Sequence, residues 1–271
     1  MQSKVRSLED AISLIPDGGR VALGGNTLHR GPGAAVHEIV RQGKRGLDLI
    51  KTAGAYDIDL LCAAGVAASV SAGYVGYESV LGMAPSYRRA VQSGEVRATE
   101  HACYTVIAGL RAAIQGVPFM PVAGLLGSDL LAARDFRLVA DPYTGEEVVA
   151  VPAIVPDVAI VHVHEADEFG NAAIHGSTFE DVLMVQAANH VILTTERLVD
   201  TDHFSHPERT ANVSSLYVGS VVEAPRGAWP FGMFGEYEPD IEAMKRLVEA
   251  GGDPDRTAAL LAELSLAPVT A

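Results

Sequence analysis

The segment Arg20–Gly43, RVALGGNTLHRGPGAAVHEIVRQG, constrains the fold more than any other part of the chain. Its short apolar run, Val21-Ala22-Leu23, ends on Gly24-Gly25, the pattern of a buried parallel strand entering a sharp turn. After a polar loop, Ala35, Val36, Ile39 and Val40 recur at helical spacing between Gly33 and Gln42. Strand, glycine turn, loop and helix make one βα unit. Open α/β sheets bind ligands at the carboxyl ends of their strands, where this loop falls. The glycines let backbone N–H groups approach a ligand, and Asn26, His29 and Arg30 add side-chain donors. A small-molecule site is the first expectation.

Composition narrows the class. The 271 residues are 48% hydrophobic and 20% charged, enough apolar material for a sizeable core. The net charge of -14 argues against nucleic acid or an anionic membrane surface as partner, since both require a basic patch. It does not exclude a small anionic ligand, which local Arg, Lys and N–H groups decide. Cys62 and Cys103 have neither disulfide-framework nor metal-ligand spacing. Both sit in apolar helical contexts and are expected to be buried, inert thiols. The N-terminus has no signal-peptide core, and no window reaches membrane-span length. A cytoplasmic protein is expected.

The rest of the chain alternates in type. Helices are predicted at Ser7–Ile15, Ile58–Ala64, Pro85–Ser93, Thr105–Gln115 and Phe179–Ala188, with two more after Pro239, separated by Gly251-Gly252-Asp253-Pro254. Strands are predicted at Leu47–Thr52, Ala68–Tyr74, Val96–Thr99, Val148–Val151, Val158–Val163, Val191–Thr195 and Ser220–Glu223, with Ala172–His175 a further candidate. Gly124–Glu147 reads as loop plus hairpin. The pattern predicts an α/β fold, an open and largely parallel sheet with helices on both faces. Neither a repeat nor a linker divides it, so residues 1–271 are expected to form a single domain with an irregular region around 124–147.

The first loop does not carry G-x-G-x-x-G, and G-x-x-x-x-G-K-[ST] is absent, which disfavours dinucleotide and P-loop enzymes. A different set of motifs runs in order along the chain. It begins with Ser7-Leu8-Glu9-Asp10-Ala11, then Gly24-Gly25 with Arg30 and Pro32, then Ile39-Val40-Arg41-Gln42-Gly43. Gly116-Val117-Pro118-Phe119-Met120-Pro121 and Gly127-Ser128 follow. Asp157-Val158-Ala159-Ile160-Val161-His162, Ala166-Asp167-Glu168-Phe169-Gly170-Asn171 and Glu223-Ala224-Pro225-Arg226-Gly227-Ala228 complete it. In this the chain resembles the alpha subunits of family I coenzyme A transferases, and the resemblance covers nearly its whole length.

The resemblance implies an open α/β fold and pairing with a beta subunit of the same family, as heterodimer or heterotetramer. It implies an acyl-CoA substrate, with no permanently bound cofactor beyond coenzyme A itself as reactant. The nucleophilic glutamate is expected on the beta subunit, and this chain lacks the Ser-Glu-Asn-Gly type of motif that carries it. A carboxylate suits CoA exchange because it forms a covalent intermediate that passes CoA both ways. The first glycine loop is implied to lie beside the thioester, with backbone donors for the developing oxyanion.

Each candidate residue also has a bland reading. Gly24 and Gly25 are an oxyanion or CoA-positioning turn, or a tight strand exit. Asn26 stands where an aromatic residue is usual in the family, and with His29 it either tunes specificity or is solvated. Arg30 pairs with a substrate carboxylate or forms a surface ion pair. Ser79 and the Gly127-Ser128 turn are pocket loops by resemblance. Glu100, just past a strand end, is the candidate catalytic residue, a general base for C–C hydrolysis as in the related ring-opening hydrolases. Its bland reading is a cap on the helix beginning near Tyr104. His162 and His164 face the same side of one strand, but no companion ligands complete a metal site, and core or interface histidines are expected. Asp167–Asn171 reads as a structural turn.

These readings lead to the alpha subunit of a CoA-transferase acting between an acyl-CoA and a small dicarboxylic or 3-oxo acid. The alternative keeps the fold and changes the chemistry, to a ring-opening hydrolase or a decarboxylase.

Overall fold

The computed structural model describes residues 2–206, 208–251 and 253–266. The strands are β1 (Arg20–Leu23), β2 (Leu47–Gly54), β3 (Ala67–Val75), β4 (Arg97–Glu100), β5 (Phe119–Val122), β6 (Arg137–Ala140), β7 (Glu147–Pro152), β8 (Val158–Asp167), β9 (Ala172–Ala173), β10 (His190–Val199) and β11 (Ser220–Glu223). The helices are α1 (Leu8–Ser13), α2 (Gly33–Arg41), α3 (Tyr56–Ala63), α4 (Glu78–Leu81), α5 (Pro85–Ser93), α6 (Cys103–Ile114), α7 (Leu130–Ala133), α8 (Asp181–Ala187), α9 (Ile241–Ala250) and α10 (Pro254–Leu266).

The main sheet runs β11-β10-β8-β1-β2-β3-β4, every neighbouring pair parallel, with β9 antiparallel against β8. This is the expected α/β sheet, and alternation along each strand explains why helices cover both faces. Val21 and Leu23 of β1, Leu49 of β2 and Ile160 of β8 join one core with residues of α1, α2, α3, α5 and α9. Ala22, Ile50, Ala159 and Val161 face the other way, onto Val106 and Leu110 of α6 and Met184 and Val185 of α8. From β1 the chain adds strands outward through β2, β3 and β4. From β8 it adds them in the opposite direction, through β10 and β11. The order therefore reverses between β1 and β8, the topological switch point at which sheets of this class open a crevice.

Local chemistry sets the element ends. Ser7 caps α1, its hydroxyl accepting from the Asp10 N–H at 3.0 Å and donating to the Asp10 carboxylate at 2.7 Å. Pro85 opens α5 and the left-handed Gly94 closes it. The Asp167 carboxylate closes the β8–β9 turn by accepting from the Phe169 and Asn171 N–H groups, both at 2.9 Å.

Three expectations need revision. β8 and β10 continue past Val163 and Thr195 to Asp167 and Val199, their ladder carried on through Arg197–Glu165, Leu198–Ala166 and Val199–Asp167, with β9 pairing against β8 over the same stretch. The 124–147 region holds α7 and β6 as well as the β6–β7 hairpin. With β5 these make an antiparallel sheet, β5-β7-β6, packed through Val122, Phe136, Val149 and Val151 onto Ala108 of α6. Cys62 is buried as predicted, but Cys103 is exposed, since it is the first residue of α6 and lies ahead of that helix's buried stretch. Among the described residues, no helix is long and apolar enough to cross a membrane.

Candidate active-site crevice

The first loop leaves β1 at the switch point and folds back as a tight hairpin. Asn26 and His29 exchange both backbone hydrogen bonds, each at 2.9 Å, with Thr27 in the left-handed region at φ 43°. Gly25 has φ 73°, and a Cβ there would stand 2.4 Å from the Arg30 carbonyl carbon. Only glycine closes the loop this tightly.

Arg30 is neither at the surface nor free for a substrate carboxylate. It is 3% exposed and forms an ion pair with the fully buried Asp181. Its remaining guanidinium bonds go to the carbonyls of His162 at 3.2 Å and Ser177 at 3.0 Å. Burial requires this partnering, since an unpaired guanidinium could not be desolvated. The other oxygen of Asp181 accepts from the Gly25 N–H at 2.8 Å.

That last bond corrects a second expectation. The Gly24 N–H is bound to the Ile160 carbonyl at 2.9 Å, and the Thr27 N–H to the Ala53 carbonyl at 3.0 Å. With Gly25 held by Asp181 and Asn26 by His29, the N–H groups from Gly24 to Thr27 are all committed within the chain. None is left for an oxyanion. The polar groups the loop presents outward are the half-buried Asn26 side chain and the exposed His29.

Sequence reasoning missed the residues that hold this loop and the strand beside it. Lys51, fully buried on β2, donates to the Gly24 carbonyl at 2.6 Å and pairs with the buried Asp57 of α3. Its signal was present: a lysine inside an apolar strand is rarely buried without a partner. Thr52, next along β2, points to the opposite face and donates to Glu180 at 2.7 Å. The exposed Cys103 donates its thiol to the Thr52 carbonyl at 3.3 Å, and burial, then the Glu180 charge, raise its pKa. Glu180 and Asp181 lie in a stretch whose sequence carries no motif.

The other predicted residues are spread more widely. Ser79 is exposed in α4, beside Glu78, whose carboxylate accepts from the Thr27 hydroxyl at 2.9 Å. Gly127 and Ser128 form an exposed turn ahead of α7 in the smaller sheet, and no hydrogen bond among the described residues joins them to the first loop. Glu100 ends β4, exposed, at the same carboxyl edge of the sheet as the loop. It does not cap α6, whose N-cap position is Ala102 with no side-chain bond. Its neighbour His101 is structural: buried between the Thr105 hydroxyl at 2.8 Å and Arg134 at 3.1 Å, it has its pKa lowered to about 4 by burial and then by Arg134. His162 is a core residue, bound to Thr194 at 2.8 Å and Glu196 at 2.9 Å, with its pKa lowered by burial. His164 accepts from the His175 N–H at 3.1 Å and so donates from its other nitrogen to the Phe234 carbonyl at 2.9 Å.

A doubly covered parallel sheet with a closed glycine loop at its switch point places the chain among the open α/β folds, whose ligands, where they bind one, lie outside the carboxyl ends of the strands. The coenzyme A transferase family model matches residues 5–224, and the chain belongs to that family. The A subunit of glutaconate CoA-transferase from Acidaminococcus fermentans is 31% identical over 261 residues, covering 90% of this chain and 82% of that one. The crystal structure of glutaconate coenzyme A-transferase from the same organism superposes with TM-score 0.92 at 30% identity, covering 96% of this chain and 88% of the other. The decarboxylase AibA/AibB, in a cysteine-to-serine variant, superposes with TM-score 0.86 at 35% identity, covering 97% and 99%. The cholesterol ring-cleaving hydrolase IpdA subunit of Mycobacterium tuberculosis is 32% identical over 260 residues, covering 92% and 89%. An uncharacterised protein from Archaeoglobus fulgidus is 38% identical over 235 residues, 86% of this chain but 53% of its own length, so this chain spans about half of it.

Proposed function

We propose that this chain is the alpha subunit of a heteromeric CoA-transferase that moves CoA between an acyl-CoA and a small dicarboxylic or 3-oxo acid. The observation that carries the reading is the closed Gly24-Gly25-Asn26 loop at the switch point of a family fold whose matched relatives include one half of a CoA-transferase. The nucleophile is a glutamate of the partner. Its carboxylate attacks the thioester carbonyl, CoA leaves as thiolate, and a mixed anhydride forms. The thiolate then attacks the glutamyl carbonyl, expelling the first acid and leaving a glutamyl-CoA thioester for the acceptor acid to reverse. In this chain Asn26 and His29 face the acyl group from one wall, and Ser79 borders the loop through α4. The Gly127-Ser128 turn is a more distant wall that the partner would bring into reach.

One observation favours a second reading, C–C hydrolysis of an acyl-CoA with Glu100 as general base. Glu100 is an exposed carboxylate at the carboxyl edge of the sheet, without a hydrogen-bond partner among the described residues, and one relative is a ring-cleaving hydrolase. The test is to assemble the chain with the beta-type subunit encoded beside it and follow CoA exchange among small dicarboxylic and 3-oxo acids. The transferase reading expects exchange that survives Glu100→Gln within a few-fold. Absence of exchange with every acid, together with an acyl-CoA cleavage that E100Q abolishes, replaces it with the hydrolase reading.

A further inference from the structure

Two buried ion pairs meet on one peptide group. The carbonyl of Gly24 and the N–H of Gly25 belong to the same trans peptide unit and point in opposite directions. Lys51 donates to that carbonyl at 2.6 Å, and Asp181 accepts from that N–H at 2.8 Å. Each grip is itself held by a second buried charge, Lys51 by Asp57 and Asp181 by Arg30. Asp57 is fixed in turn, accepting from the Ala55 and Ile58 N–H groups at 3.0 and 2.9 Å. The two grips come from opposite faces of the sheet, since Asp57 belongs to α3 on one side and Asp181 to α8 on the other.

We infer that Lys51 and Asp181 are positioning residues, which lock the Gly24–Gly25 peptide plane from both sides and so fix the angle at which Asn26 is presented to the crevice. A buried ion pair is a poor source of stability, because desolvating its charges offsets most of their attraction. Either peptide atom alone would be satisfied by a neutral partner. Two charged pairs converging on one peptide instead resist rotation of that plane, the soft motion of a glycine-glycine turn. Preorganising a loop in this way matters where a side chain has to meet a reacting atom within a fraction of an ångström.

The test is amide hydrogen exchange at Gly25, followed by NMR in 15N-labelled full-length protein. In the wild type the Gly25 amide is expected to exchange within ten-fold of the slowest strand amides of β1 and β8. Exchange more than ten-fold faster than those amides overturns the lock, and this measurement needs no variant to fold. The double substitution Lys51→Met with Asp57→Asn removes the distant grip without leaving an unpaired charge and does not touch the Gly25–Asp181 bond. It is expected to speed exchange at Gly25 at least ten-fold while the amides of Gly94 and Gly219 change less than two-fold. Unchanged Gly25 exchange in the folded variant overturns the proposal. A second arm rests on the transferase reading: in the assembled complex, K51M/D57N is expected to lower kcat at least ten-fold with KM for acyl-CoA within three-fold. A raised KM at unchanged kcat overturns the positioning role. If the wild-type complex exchanges no CoA, the functional reading fails and the exchange data at Gly25 alone decide the lock.

Discussion

Gly25 is where the first loop closes on itself, and two separate costs meet there. Its φ of 73° disfavours any L side chain, and its position leaves a Cβ 2.4 Å from the Arg30 carbonyl carbon. Gly116 separates the two, with φ 66° but no atom within 4 Å of a Cβ added there. Gly116→Ala is expected to cost only the backbone preference, about 1 kcal/mol. Gly25→Ala adds displacement of the loop and is expected to exceed that by at least about 2 kcal/mol. Thermal denaturation of both variants checks the difference, and equal melting temperatures would show that the loop opens freely. At this scale the sequence is half legible. Gly24-Gly25 announces a tight turn, and Asn26 and His29 are recognisable as its outward polar groups. Arg30 is misread because nothing local reveals its partner, Asp181, which lies far along the chain and lacks a motif. The same distance hides the bond from Asp181 that uses up the Gly25 N–H.

At the scale of elements, α3 and α5 are joined through a buried carboxylate with a pH signature. Asp59 of α3 is fully buried, accepting from the Tyr77 hydroxyl at 3.0 Å and from the first-turn Tyr87 N–H of α5 at 2.9 Å. Burial pushes its pKa up to about 6, against the pull of those hydrogen bonds. Between the ordinary aspartate value of about 3.9 and 6, the folded protein holds a proton that the unfolded chain has released. Stability contributed by this site is therefore full below about pH 4 and falls as pH rises toward 6. Over that range it is expected to cost on the order of 2–3 kcal/mol. Asp59→Asn removes the titration, so the difference in stability between wild type and variant is expected to change across pH 4–6 and level off above it. Urea denaturation at stepped pH measures this, and a pH-independent difference would mean Asp59 titrates normally. Element types are mostly readable, because the apolar periods of 2 and 3.6 are local properties. The ends of β8 and β10 are not, since polar residues there are held in strand by their cross-strand partners.

For the whole molecule, charge decides what the chain can bind alone. The net charge is -14, and the two buried cations that hold the first loop bring no net positive field, since Arg30 is neutralised by Asp181 and Lys51 by Asp57. Two acidic groups stand at the same edge of the sheet: Glu180, whose carboxylate accepts from Thr52 at 2.7 Å, and the exposed Glu100. The phosphates of coenzyme A would approach this wall against repulsion, and repulsion between exposed charges is what salt screens. On the proposed transferase reading, the CoA phosphates are expected to be held by the partner, with this chain facing the acyl group. The isolated chain is therefore expected to bind CoA more weakly than about 1 mM, or about -4 kcal/mol. Raising salt from about 50 to about 200 mM should leave that affinity unchanged or strengthen it, the reverse of phosphate binding by a basic groove. Calorimetric titration of CoA into the chain alone and into the assembled complex separates the contributions. Micromolar binding by the chain alone, weakening steeply with salt, would mean that this chain carries a cationic phosphate site of its own and that the division of labour runs the other way.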